Sequence, residues 1–203
     1  THVSAGGSGY TSNAYVTASW VGVGVNIDLH AQTDGFFVIG YTGADTIVGS
    51  SGADTLMGGD GSDSLDGSGG ADVFIYSDKA DLLADATVIG NSGTDTLRLS
   101  YGADPLTLTD SYFTHVNTVE VLDLSGNSGA QTITLDTYAQ TAGIVSVLGA
   151  DTTDTVGGTA ADTIDASAYT TAITISAGIG NDTLWAGSGV DNLSGGAGND
   201  VFL

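Results

Sequence analysis

Seven aspartates fall in two trains with a spacing of nine: Asp45, Asp54, Asp63 and Asp72, then Asp182, Asp191 and Asp200. Two residues before each stands a glycine: Gly43, Gly52, Gly61 and Gly70, then Gly180, Gly189 and Gly198. Two residues after each stands a large apolar side chain: Ile47, Leu56, Leu65, Phe74, Leu184, Leu193 and Phe202. Carboxylates held in tight glycine turns are hard oxygen donors, and such turns also aim backbone carbonyls inward. That donor set suits a hard divalent cation, which wants roughly six to eight oxygens. Stacked carboxylates without a cation would repel one another at close range.

The elements that position these groups follow from the same pattern. Glycine gives the turn its positive φ and close backbone approach. The residues after the aspartate read as a short strand whose large side chain faces a core. One such unit cannot bury its apolar side chain alone, so seven copies imply stacking of like on like.

Composition narrows the function further. The formal net charge is −22, and Lys79 and Arg98 are the only strongly basic residues. No basic surface exists to neutralise phosphates, which excludes nucleic acid as a natural partner. An anionic membrane surface is disfavoured for the same reason, and no apolar run is long enough to be inserted across a bilayer. The acidity is carried by 23 aspartates and the single glutamate Glu120. Aspartate, shorter and tolerant of tight turns, suits cation sites built in turns. With 41% hydrophobic residues the chain is no disordered acidic tail. There is no cysteine, so disulfides contribute nothing.

Along the chain the expectation is one continuous solenoid domain over 1–203. Residues 1–39 form irregular first coils, with strands at Val21–Leu29 and Phe36–Ile39. Residues 40–76 are the first regular block. Residues 77–176 are mostly irregular coils with degenerate repeats: a short helical turn or loop near 77–84, one isolated unit at 90–98, and strands at Leu106–Leu108, Val119–Leu124, Ile133–Leu135 and Ile144–Leu148. In the degenerate units Asp95, Asp154 and Asp162 are open to either a metal or an ordinary turn role. Asp85 and Asp110 are expected in surface or turn roles. Residues 177–203 are the second regular block. The end of the chain directly after a complete turn looks like a cut through an array, the mark of a fragment of a longer protein.

The consensus is Gly-Gly-x-Gly-x-Asp-x-(apolar)-x. It is seen in Gly58-Gly59-Asp60-Gly61-Ser62-Asp63-Ser64-Leu65-Asp66 and in Gly195-Gly196-Ala197-Gly198-Asn199-Asp200-Val201-Phe202-Leu203. It resembles the RTX, or haemolysin-type, calcium-binding nonapeptide repeat. The resemblance implies an all-β fold, a right-handed parallel β-roll or β-helix solenoid with calcium-binding turns, in which two nonapeptides make one coil. Residues eighteen apart then share an ion: Asp45 with Asp63, Asp54 with Asp72, Asp182 with Asp200. Asp162 pairs with Asp182 across a two-residue bulge, and Asp191 needs a partner beyond Leu203. The implied cofactor is calcium, several ions, with glycine-turn carbonyls completing each site.

The same resemblance implies an extracellular or bacterial cell-surface location and folding coupled to calcium after export. It fits a structural protein of a surface layer, filament or adhesin, whose partners are neighbouring repeats or further copies of itself. The competing use is an accessory module of a secreted protease, lipase, epimerase or toxin. The chain itself is expected not to be an enzyme. Its only histidines are His2, His30 and His115, and it has neither a His-Glu-x-x-His motif nor a Gly-x-Ser-x-Gly elbow. Thr46, Thr55, Ser64 and Thr183 should stack outward as ordinary strand residues, and Trp20 and Trp185 as core or edge packing.

Overall fold

The structure is a computed structural model that describes residues 2–4, 14–17, 22–100, 105–149 and 160–203. Trp20, Asp104 and Asp154, with most of the degenerate unit at 149–156, lie outside the described residues. The chain divides into two compact units. One comprises Thr1–Tyr76, Ala80–Leu97 and His115–Val119; the other comprises Ser77–Lys79, Arg98–Thr114 and Glu120–Leu203.

In the first unit the strands alternate along the chain between two parallel sheets. One sheet takes His2–Ser4, Asn26–Asp28, Thr46–Val48, Ser64–Asp66, Thr87–Ile89 and Val116–Asn117 in that order. The other takes Ala14–Thr17, Phe36–Thr42, Thr55–Asp60 and Val73–Tyr76. The second unit repeats the arrangement. Leu106–Leu108, Gln131–Thr134, Thr163–Asp165, Thr183–Trp185 and Val201–Phe202 form one parallel sheet. Val121–Asp123, Ser146–Leu148, Thr174–Ile179 and Asn192–Ala197 form the other. This is an all-β parallel solenoid with little helix.

The apolar residue of each repeat sets the register. Ile27, Ile47, Leu65 and Val88 form one inward column, and Val38, Leu56 and Phe74 form the facing one. All are fully buried, each contributing roughly 1.5–3 kcal/mol against exposure. In the second unit the column Leu108, Ile133, Ile164, Leu184 and Phe202 does the same, except that Phe202, on the outermost coil, is 51% exposed. A one-residue slip would turn these columns to solvent, so the pattern fixes the pairing.

The irregular regions differ from expectation in detail. Of the described residues 22–29 only Asn26–Asp28 is strand, although Val25, Ile27 and Leu29 are all buried. The helical turn appears as Lys79–Ala84, anchored by buried Leu82. Two further helical segments were not legible: the 3-10 turn Asp110–Phe113 and the helix Thr137–Ala142. These lengthen the coils of residues 98–150. Asp136 caps the helix at Thr137 N–H, and Gly143 closes it at φ 103°. Asp110, expected in an ordinary turn role, accepts the N–H groups of Tyr138 and Ala139 at 2.9 and 2.8 Å.

Candidate metal centre

Each of the seven spaced aspartates sits where strand meets turn, and each of their carboxylates makes the same bond. Its Oδ1 accepts the backbone N–H of the equivalent residue one coil earlier. Asp45 takes Val25 N–H at 2.7 Å, Asp63 takes Asp45 N–H at 2.8 Å, and Asp85 takes Asp63 N–H at 3.0 Å. A second rail runs beside the other sheet. There Asp54 takes Phe36 N–H at 2.6 Å, while Asp72 takes Asp54 N–H and Asp95 takes Asp72 N–H, both at 2.8 Å. In the second unit Asp182 takes Asp162 N–H at 2.8 Å and Asp200 takes Asp182 N–H at 3.0 Å. Asp191, half-exposed, takes Ile173 N–H at 3.0 Å.

The structure thus brings together Asp45 with Asp63, Asp54 with Asp72 and Asp182 with Asp200, each eighteen residues apart. Asp162 joins Asp182 across twenty residues, with Thr163 paired to Thr183.

The second carboxylate oxygen behaves differently. The Oδ2 atoms of Asp45, Asp63, Asp72, Asp162 and Asp182 are buried and accept no hydrogen bond. Buried orphan acceptors are uncommon in folded proteins and costly. Three of them are aimed at the glycine that opens their own turn: a Cβ on Gly40, Gly58 or Gly67 would lie 2.2, 2.1 or 2.2 Å from the oxygen of Asp45, Asp63 or Asp72. The carbonyl of the stacked turn enters the same space, Gly58 O lying 2.6 Å from a Cβ on Gly40.

The later glycines make the matching contact between coils. A Cβ on Gly61 or Gly198 would lie 1.9 or 1.5 Å from the carbonyl oxygen of Gly43 or Gly180, and both have positive φ, 155° and 142°. A Cβ on Gly70 would lie 2.5 Å from Gly52 O, and one on Gly189 would lie 2.5 Å from Thr171 O. Between the last coils a hollow is lined by Ile179, Gly180, Asn181, Ala197 and Gly198. Orphan carboxylate oxygens and stacked carbonyls around a space that only glycine leaves open fit a hard, oxygen-liganded cation. Among the described residues no three His, Cys, Asp or Glu side chains converge as a metal-holding group. Carbonyl oxygens of the stacked turns stand beside the carboxylates as further donors.

Burial leaves its mark on these acids. It pushes the Asp63 and Asp162 carboxyls up to about 6 and that of Asp72 up to about 7, against 3.8 ordinarily. Bonds from backbone N–H groups offset part of this, and neighbouring carboxylates add to it. Asp45, Asp54 and Asp182 are raised by the same cause.

Residues 39–74 and 174–202 match the family model of the RTX calcium-binding nonapeptide repeat, in four copies. These two stretches are similar to RTX calcium-binding repeats. RTX nonapeptide repeats bind calcium ions. No curated protein and no solved structure matches the chain significantly.

Two positions depart from the RTX pattern. At Asp54 the second oxygen is taken: Ser50, fully buried, gives its N–H to Oδ2 at 2.6 Å. At Asp85 the structure corrects the surface role expected from sequence. Asp85 is buried and extends the rail past Asp63, and its Oδ2 accepts the hydroxyl of buried Tyr76. Burial pushes this carboxyl up to about 7. No glycine turn precedes Asp85, and it follows Asp63 by 22 residues rather than eighteen. The only signal in the sequence was Asp85-Ala86-Thr87-Val88, a repeat end lengthened by one residue.

The outward hydroxyls stack as expected of strand residues. Thr46 pairs with Ser64, and Ser64 Oγ lies 2.9 Å from Thr87 Oγ1.

Proposed function

We propose that the chain is a calcium-dependent β-roll segment of a secreted or cell-surface bacterial structural protein, folding when it meets extracellular calcium. The observation that carries this reading is the row of buried, unpartnered Oδ2 atoms facing turn carbonyls. Asp45 with Asp63, Asp54 with Asp72, Asp162 with Asp182, and Asp182 with Asp200 would hold the ions. The carbonyls of Gly43, Gly52, Gly61, Gly70, Gly180, Gly189 and Gly198 would complete the shells, and Asp191 would serve a turn of the last coil. Bound calcium would supply the positive charge that these carboxylate oxygens lack.

The chain's own residues do the rest. The Oδ1 atoms tie each coil to its predecessor, so filling one turn orders the next, and repeats support their neighbours. Without a cation, −22 charges and buried carboxylates oppose the compact state. A ligand that binds only the folded stack shifts that balance by linkage. Calcium sites of extracellular modules bind at about 10⁻⁴–10⁻³ M, weak enough to stay empty in a cytosol and fill outside. None of the described helices is long and apolar enough to cross a membrane.

A calcium titration of chelated protein, followed by circular dichroism, tests the reading. The expected result is a cooperative gain of β signal. A chain already β-rich in chelator and unmoved by calcium would contradict it. Light scattering in calcium tests the structural role: growth of assemblies supports it, and a persistent monomer at high concentration favours an accessory module of a secreted enzyme.

A further inference from the structure

The segment between the two regular blocks contains a repeat in disguise. Gly126-Asn127-Ser128-Gly129-Ala130-Gln131-Thr132-Ile133 aligns without gaps on Gly90-Asn91-Ser92-Gly93-Thr94-Asp95-Thr96-Leu97. Glycines, asparagine, serine and threonine coincide, and the strand residue is apolar in both. At the metal position glutamine replaces aspartate.

The fold treats Gln131 as a repeat residue. Thr132 pairs with Thr163 and Ile133 with Ile164, so Gln131 stands one coil before Asp162 in the column that continues to Asp182 and Asp200. Its N–H donates to Asp162 Oδ1 at 2.8 Å, the same bond that links each aspartate to the next. Gln131 is fully buried, and neither its Oε1 nor its Nε2 has a hydrogen-bond partner. Asp162 is 1% exposed, and its Oδ2 is equally unpartnered. On the other side Gln131 is paired with Leu106, so the polar column ends at the amide. An amide with both ends unsatisfied, beside a carboxylate with one free oxygen, is a costly arrangement for a core.

We propose that Gln131 and Asp162 form a further calcium site, in which a neutral amide replaces one carboxylate of the repeat. The inference rests on the calcium reading above and extends it to a coil that carries no repeat aspartate. Amide carbonyls are ordinary calcium ligands, so Oε1 serves as Asp Oδ2 serves elsewhere, and Nε2 donates to a water of the ion's shell. Asp162 lies between Gln131 and Asp182 as Asp63 lies between Asp45 and Asp85, and a carboxylate has lone pairs enough for ions on both sides. With one negative charge instead of two, this site is weaker than its neighbours and fills last, because ligand charge count tunes calcium affinity.

Equilibrium dialysis with calcium on the whole chain, comparing the natural sequence with Gln131→Leu and Gln131→Asp, tests this. Gln131→Leu should bind one ion fewer and leave the tighter sites unchanged. Gln131→Asp should bind the full number, with the weakest class tightened on the order of tenfold. Should Gln131→Leu not fold, the Gln131→Asp result decides alone: an unchanged weakest class overturns the proposal. An undiminished ion count in folded Gln131→Leu, with a thermal midpoint raised equally in chelator and in calcium, also overturns it and marks the amide as a packing defect. Either result leaves the main reading intact, whereas a natural chain that binds no calcium overturns both.

Discussion

Replacing Asp63 by asparagine should change stability in opposite directions with and without calcium. Asparagine keeps the oxygen that accepts Asp45 N–H and removes the charge on the orphaned side. Burial raises the natural carboxyl from 3.8 to about 6, so holding it ionised above that pH costs about 3 kcal/mol. The new amide N–H₂ lies where Oδ2 found no partner, and an unsatisfied buried group costs about 1–3 kcal/mol. Without metal the variant is therefore the more stable by about 1 kcal/mol. With calcium at 100 times the dissociation constant, one filled site is worth about 2.7 kcal/mol to the natural chain, and the variant forfeits most of it. Urea midpoints, read by circular dichroism near pH 7.5 in chelator and in calcium, should show the variant ahead in the first and behind in the second. If the natural chain has no folded baseline in chelator, a larger β signal from the variant there serves the same comparison. A shift of the same sign in both media would refute the reasoning.

Three further predictions rest on other residues. Asp63, Asp72, Asp85 and Asp162 have folded-state values of about 6 to 7 against 3.8 when unfolded. Their contribution to stability is thus fully present below 3.8 and lost as pH rises through 6 to 7; circular dichroism of chelated protein should show β structure at pH 4 declining toward pH 8, with calcium reversing the loss. Tyr76→Phe removes the donor to Asp85 Oδ2 and should cost about 1–3 kcal/mol in urea unfolding, less in calcium if the freed oxygen then takes part in a site. Tyr41, at φ 78°, is aligned with Gly59 at φ 98°; Tyr41→Gly should raise the unfolding free energy by about 1 kcal/mol, by relieving a left-handed conformation that disfavours side chains.

The sequence was most legible where its period held. Repetition every nine residues placed Ile47, Leu56, Leu65, Phe74 and Leu184 in the core and brought the aspartates together at eighteen. Asp162 was reachable because a two-residue bulge keeps the strand in register. Asp85 was not, since an inserted helix sets it 22 residues after Asp63 and one extra residue follows it before Val88. Strand spacing over residues 98–150 implies longer turns but does not reveal the helix Thr137–Ala142. It has no long apolar period to announce it and is held by tertiary bonds from Asp110. Gln131 is hidden in the sequence because glutamine stands at the position that aspartate holds in the other repeats; its buried, unsatisfied amide is what marks the repeat around it. Ser50 was invisible for a different reason, since its bond to Asp54 depends on a turn conformation that spacing does not specify.

The most direct measurement is an anomalous difference map from crystals grown in calcium. The account predicts peaks inside the turns, between Asp45 and Asp63, between Asp54 and Asp72, and between Asp182 and Asp200, each beside an Oδ2 atom and turn carbonyls. Turns filled only by water, or ions found solely on the outward faces of the sheets, would contradict it.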